Sequence, residues 1–337
     1  MNEPVTASPS LEPLDVAGCA ELAVIERSGV IESRHMGAAA VVTATGERLL
    51  TVGDVDATIF PRSTLKPLQA IALLEAGATF ADDELVLATA SHCGSPDHLA
   101  VVERMLAADG HSPDALQCPA DWPLGAAERA ARRASGLGPA PLAMNCSGKH
   151  AGFLRAADAL RAAGDASAEP SRYLDPAHPL QRRITATIER MLGEAIRHTG
   201  VDGCGAPMHA ASLAALARAI ARVASAESPE AAQLMRAVAA EPWAIDGQGR
   251  ANTRVIEALG GIAKIGAEGL VVIGLPGGIA VAVKVLDGGM RATTPVALEL
   301  LSRVGAVDPA VVAQLRAELD PVITGGADVV GGLIVTA

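Results

Sequence analysis

The chain has 337 residues, of which 50% are hydrophobic and only 2% aromatic, and it carries a formal net charge of −11. That length can bury a large aliphatic core. The acidic balance, with no basic run interleaved with aromatics, excludes nucleic-acid binding, because neutralising phosphates takes clustered Lys and Arg.

Residues 1–20 read as a disordered lead with neither the charged nor the apolar region of a signal peptide. The remainder, 21–337, reads as a single domain. No apolar run reaches the roughly 20 residues of a membrane helix. Five cysteines (Cys19, Cys93, Cys118, Cys146 and Cys204) are an odd number. They read as free thiols of a cytoplasmic protein.

The first elements are strands. Short β-like runs flank Ser28-Gly29, and two more flank Thr45-Gly46, which predicts a meander with regular turns. From Ser63 the period becomes helical. Pro67 falls in the first turn, where its missing N–H costs little, and Gly77 is a plausible C-cap. Helices are predicted at Asp97–Gly110, Pro179–Gly200, Ser212–Ala226 and Ser228–Pro242, the last with Ser at N-cap and Pro at N1. The Arg-rich Glu128–Gly136 reads as a solvated helix face. Strands return at Ile262–Gly269, Leu270–Leu275 and Ile279–Gly289, with Pro276-Gly277-Gly278 as a hairpin turn. Two further helices are predicted near Pro295 and Pro309, each with its Pro at N1. The order predicts an α+β fold: an antiparallel sheet from about 21–62 and 262–337, with an inserted helical region at about 63–261.

Four stretches crowd reactive side chains. In Ser63-Thr64-Leu65-Lys66 the hydroxyl and the amine share a helix face. A desolvated Lys there can act as base to the Ser. By itself an S-x-x-K is more often a capped helix start. Serine acyl-transfer enzymes pair such a motif with K-[ST]-G on a strand; the predicted-strand Lys264-Ile265-Gly266 departs from it with Ile in the middle, and Lys284 on the next strand competes with it. Ser91–His98, "SHCGSPDH", gathers two hydroxyls, two imidazoles and a thiol; a structural loop capped by Ser95 and Asp97 explains it equally well. Finally, Cys146 and Lys149 in "NCSGKH", with Cys204 in "DGCGAPMH", could meet at a metal, although two inert buried thiols are the simpler reading. Each of these thiols is expected to precede a helix.

Together "PRSTLKPLQA", "SHCGSPDH", "NCSGKHAGFL", "DGCGAPMHA" and "KIGAEGL" resemble, in order from about Ile25 to Asp287, the rhizobial-type, thermolabile, zinc-containing L-asparaginases of the asparaginase II family. That resemblance implies a fold similar to serine β-lactamases and glutaminases. It implies hydrolysis of L-asparagine to L-aspartate and ammonia by a cytoplasmic homodimer. It implies catalytic Ser–Lys pairs at Ser63–Lys66 and at Ser95–Lys264, and a zinc site of Cys146, Lys149, Cys204 and water. Asp202 and His150 are implied beside that site. Both are also candidates for substrate binding, with Arg62, Ser91, His92, Asn145 and Gly148, Arg62 through a bidentate pair with the substrate carboxylate. Cys93 receives no role. Two rival readings remain: another serine amidohydrolase (glutaminase, β-lactamase or peptidase), and a non-catalytic zinc- or amino-acid-binding homologue.

Overall fold

The computed structural model describes residues 11–337. The first ten residues of the expected lead lie outside the described residues. The rest of that lead lies against the body, where Leu14 N–H donates to Thr58 O at 3.2 Å.

The strands are β1 (Ala20–Arg27), β2 (Val30–Thr43), β3 (Arg48–Val52), β4 (Thr58–Ile59), β5 (His198–Val201), β6 (Pro207–Ser212), β7 (Ile262–Gly266), β8 (Leu270–Leu275), β9 (Ile279–Val285), β10 (Ile323–Gly325) and β11 (Asp328–Val335). The helices are α1 (Lys66–Glu75), α2 (Asp82–Thr89), α3 (Pro96–Ala108), α4 (Ala126–Ala134), α5 (Ser147–Ala162), α6 (Pro179–Leu192), α7 (Leu213–Ala224), α8 (Pro229–Ala240), α9 (Ala251–Leu259), α10 (Thr293–Arg303) and α11 (Pro309–Leu319).

N- and C-terminal strands close into one antiparallel sheet ordered β10-β11-β1-β2-β9-β8-β7, with β3 on β2. The expected α+β class and the insertion of helices between the two sets of strands are what the structure holds. The β1–β2 turn is Ser28-Gly29, both with positive φ (50° and 84°), the geometry that suits the twist of a two-residue hairpin. β8 is buried along its whole length. Helices α7 and α10 both pack on it, and a strand covered on both faces has no use for alternating polar residues. Among the described residues no helix is long and apolar enough to cross a membrane.

Three local expectations need correction. The helix predicted over Pro179–Gly200 stops at Leu192, because Gly193 takes a left-handed φ of 67° and caps it. The remainder becomes β5, which pairs with β6 and β4 in a second, three-stranded sheet inside the helical region. Cys204 therefore sits in a β5–β6 turn rather than before a helix, with Asp202 N–H donating to Ala206 O at 2.9 Å. Lastly, α10 starts at Thr293, two residues ahead of Pro295. The Arg-rich α4 does present a solvated surface, with none of its residues buried.

Glycine tightens the sheet at one central point. A Cβ on Gly37, in β2, would lie 2.0 Å from Lys284 O on β9 and 2.9 Å from Leu22. Gly332, in β11, has nothing within 4 Å of that position. Urea denaturation is expected to show a loss of about 1–3 kcal/mol for Gly37→Ala, the cost of overpacking. Gly332→Ala should stay within about 0.5 kcal/mol of the parent.

Candidate active site

The site begins at a strained residue. Arg62 has a φ of 53°, rare for a residue with a Cβ and a cost held only where the surroundings impose it. It opens a 3-10 turn, Arg62–Leu65, that runs directly into α1. The side chain of Lys66, first residue of α1, points inward and is 1% exposed. Its amine donates to Ala90 O, to Ser91 Oγ at 3.2 Å and to Cys146 Sγ at 3.2 Å.

β7 comes close to this turn because Gly266 has no side chain; a Cβ there would lie 3.0 Å from Pro61 O. That approach brings in Lys264, 0% exposed, whose amine donates to Ser91 Oγ at 2.8 Å and to Ile265 O at 2.7 Å. Ser91 Oγ thus lies between two buried amines. Burial, and then the charge of Lys66, hold the Lys264 pKa well below the usual lysine value, with Asp246 and Cys146 opposing. Lys264 is therefore the amine driven toward its neutral, proton-accepting form.

The expected pairing of Ser95 with Lys264 is absent. Ser95 is the N-cap of α3, its Oγ 2.7 Å from His98 Nδ1 and accepting from the His98 backbone N–H. The hydroxyl that meets Lys264 belongs to Ser91. Lys284, the competing amine, lies on β9 and donates to Glu268 O and Val285 O. Among the described residues Lys66 makes no hydrogen bond to Ser63; that half-buried residue borders a narrow cleft of about 10 Å³ instead. Arg62, Lys66, Gln69, Lys149 and Asp202 line the same cleft.

Several expected substrate contacts are structural supports. His92 is fully buried, its Nε2 2.9 Å from Ser147 Oγ and its ring stacked on His98 at 5.1 Å. Burial, followed by the nearby His98 and Lys66, pushes its pKa well down. Gly148 is a packing residue, since a Cβ there would lie 2.6 Å from both Leu87 Cγ and Leu87 O. Asn145 holds the loop: its backbone O accepts from His92 N–H at 3.2 Å, and its side-chain Oδ1 lies 3.1 Å from Cys146 Sγ. Arg62 is already engaged, donating from Nε to Asp202 Oδ1 at 2.8 Å. Cys93 is buried, and burial pushes its thiol up to about 11, so it is inert.

The thiols of Cys146 and Cys204 and the amine of Lys149 do converge. Cys146 is the N-cap of α5, Lys149 lies one turn along, and Lys149 Nζ donates to Cys204 Sγ at 3.0 Å. A hydrogen bond from Cys204, and next the charges of Lys66 and Lys149, lower the Cys146 pKa well below its usual value against the opposing effect of burial. The bond to Cys146, then burial, raises that of Cys204. Burial lowers His150 to about 4, so its ring is neutral; Nδ1 lies 2.7 Å from Tyr173 OH, and among the described residues Nε2 is buried without a hydrogen-bond partner. Burial raises the Asp202 pKa, but Lys149 and Arg62 outweigh it and hold the carboxylate low. Among the described residues no three His, Cys, Asp or Glu side chains are grouped to hold a metal. Two thiols, one amine and an unpartnered imidazole nitrogen are nevertheless a donor set that fits Zn²⁺, which favours sulfur and nitrogen.

One signal went unused in the sequence. The chain has only four lysines, Lys66, Lys149, Lys264 and Lys284. Three of them are buried together here, each under 3% exposed, while arginine supplies the surface cations.

No curated protein matches the chain. Among solved structures, Mglu is 16% identical over 80% of this chain and 68% of its own, with a TM-score of 0.37. A β-lactamase from Mycobacterium bovis is 18% identical over 85% of this chain and 95% of its own, with a TM-score of 0.34. At those scores the fold rests on the strands and helices themselves. The family model described as L-asparaginase II matches residues 23–335, running through β11 and past the point where the motif resemblance fades. The chain belongs to the L-asparaginase II family.

Proposed function

We propose that this protein is an L-asparagine amidohydrolase that releases L-aspartate and ammonia through a serine activated by buried lysines. The observation that carries the reading is Ser91 Oγ held between Lys264 at 2.8 Å and Lys66 at 3.2 Å, directly behind a cleft with Ser63 on its wall. In that cleft, Arg62 would meet the α-carboxylate and Asp202 the α-ammonium group of asparagine.

In this reading Ser63, the hydroxyl that faces the cleft, attacks the side-chain amide carbon. Its proton passes to Lys66, as Lys66 yields one to Ser91 and Ser91 yields one to neutral Lys264. One proton has then moved from Ser63 to Lys264. The same chain returns it to the departing nitrogen, ammonia leaves, and water hydrolyses the acyl-enzyme to aspartate. We extend the proposal to Zn²⁺ held by Cys146, Lys149 and Cys204, with Lys149 giving up its proton to ligate. Bound there, the ion would supply positive charge beside the cleft. A homodimer is part of the same reading, checked by light scattering on the purified chain.

Ammonia release from L-asparagine, compared with L-glutamine and a chromogenic β-lactam, tests the substrate; faster turnover of either competitor sinks the asparaginase reading. The two loop serines separate the site's chemistry from its scaffolding. Ser91→Ala should cut kcat by about 10²–10⁴-fold without lowering Tm. Ser95→Ala should cost about 1 kcal/mol of cap stability and leave kcat near that of the parent.

The pH profile has a required sign. A base must be neutral to accept a proton, so kcat/KM rises with pH through the Lys264 titration. Because that pKa is depressed, the plateau should be reached well below pH 10. A limb at the ordinary lysine position would contradict a buried lysine base. For the metal, Co²⁺ titration should produce a thiolate charge-transfer band that Cys204→Ala abolishes, and the same variant should raise KM for asparagine more than it lowers kcat.

A further inference from the structure

We propose that Asp246, clamped by Arg250, is a positioning residue: it fixes the chain segment against which Ser91 is held between the two lysines. The segment Ile245–Asp246 runs alongside Ser91–Cys93 like a short stretch of sheet. Ser91 N–H donates to Ile245 O at 3.2 Å, and Cys93 N–H donates to Asp246 O at 2.7 Å. On its other side the loop is tied by His92 N–H to Asn145 O at 3.2 Å. The backbone of residues 91–93 is thus gripped alternately from two directions, and Ser91 Oγ has little freedom to leave the amines.

Ile245 ends a short 3-10 turn, Pro242–Ile245, and the chain leaves regular structure at Asp246. Asp246 itself sits at φ −143°, ψ −51°, outside the helical and extended regions. Gly247 follows at φ 143°, and a Cβ there would lie 2.6 Å from Cys93 Sγ. Thr253 Oγ1 donates to Gly247 O at 2.8 Å, and the Asp246 carboxylate locks the bend from its other side. Its side chain is 2% exposed; Oδ1 accepts from Arg250 Nε at 2.6 Å, and Oδ2 accepts from Asn252 N–H, at the start of α9, at 3.4 Å. A buried carboxylate with two donors is a fixed point, and a buried charge held this way is costly to disturb.

Asp246 also bears on the reaction through charge. The charged or titratable groups that act on Lys264 are Lys66 from α1, Cys146 from the start of α5 and Asp246 from this bend. Arg250 and His98 are the groups that face Asp246. Asp246 favours the ammonium form of Lys264, and Arg250 partly cancels that effect.

The kinetic test rests on the proposed asparagine hydrolysis; the spectroscopic one does not. With ¹³C at lysine Cε, the chain gives one signal for each of its four lysines. The signal missing from Lys264→Met reports Lys264. Asp246→Asn should lower kcat by about 10²-fold, the order of loss for a misplacement of about 1 Å. It should also move both the Lys264 titration and the acid limb of kcat/KM to lower pH. Arg250→Gln, at a side chain 36% exposed and so tolerant of change, should lower kcat less and move both to higher pH, because it leaves Asp246 unneutralised. A merely structural role would reduce the active fraction without moving either midpoint. Opposite shifts in the two variants support the assignment. An unmoved Lys264 midpoint in Arg250→Gln, or parental kcat in folded Asp246→Asn, overturns it. If the parent releases no ammonia from asparagine, the hydrolase reading fails by itself, and the two lysine midpoints still decide the role of Asp246.

Discussion

Two buried amines around one hydroxyl constrain everything else in this protein. Lys66 and Lys264 both donate to Ser91 Oγ, at 3.2 and 2.8 Å, so their nitrogens are at most about 6 Å apart. Two ammonium charges at that separation repel by about 3 kcal/mol at an effective dielectric of about 20, and burial adds its own penalty for each. Charging both would cost more than a marginally stable fold readily supplies. The surroundings resolve the conflict by driving Lys264 toward neutrality, which is also what makes it useful as a base. The cost of desolvation and the capacity for proton transfer have the same origin.

The architecture serves that arrangement. Lys264 needs a strand that can approach the start of α1, and Gly266 allows it. Lys66 needs a helix that begins inside the protein, and the turn at Arg62, bent to positive φ, delivers it. Ser91 needs a loop that cannot relax, and it is tied to residues 245–246 on one side and to Asn145 on the other. Lys66 also touches Cys146 Sγ at 3.2 Å, so the lysine–serine cluster and the thiol cluster form one continuous polar core. Most of the packing around it is aliphatic, and three of the chain's few aromatic rings lie at its edge: Phe153 with Lys149 Nζ 5.3 Å from its centroid, Tyr173 against His150, and Trp243 against His98.

The sequence was most legible where local chemistry decides structure. Ser-Pro at Ser228-Pro229 announces a helix start, and α8 begins there. Ser28-Gly29 and Pro276-Gly277-Gly278 announce hairpins, and strands pair across both. The same Ser-Pro signal stands at Ser95-Pro96, and Ser95 is the cap of α3, as the capped-loop alternative expected, rather than a partner of Lys264. The scarcity of lysine is a second signal in the sequence. Where arginine fills nearly every surface need for positive charge, each remaining lysine marks a place that requires an amine.

What the sequence alone determined is therefore the set of parts: an α+β chain with strands at both ends, an S-x-x-K helix start, a strand lysine, and two thiols with a lysine one turn from the first. Only the tertiary structure decided the partners. It gave Lys264 to Ser91 rather than Ser95, turned His92 and Gly148 into supports, and set Arg62 against Asp202. Spacing along a chain settles contacts within a helix turn or a hairpin, where backbone geometry is common to all proteins. A contact between Ser91 and Lys264, 173 positions apart, depends on how separate elements pack, and that is set by the summed burial of side chains no local motif contains.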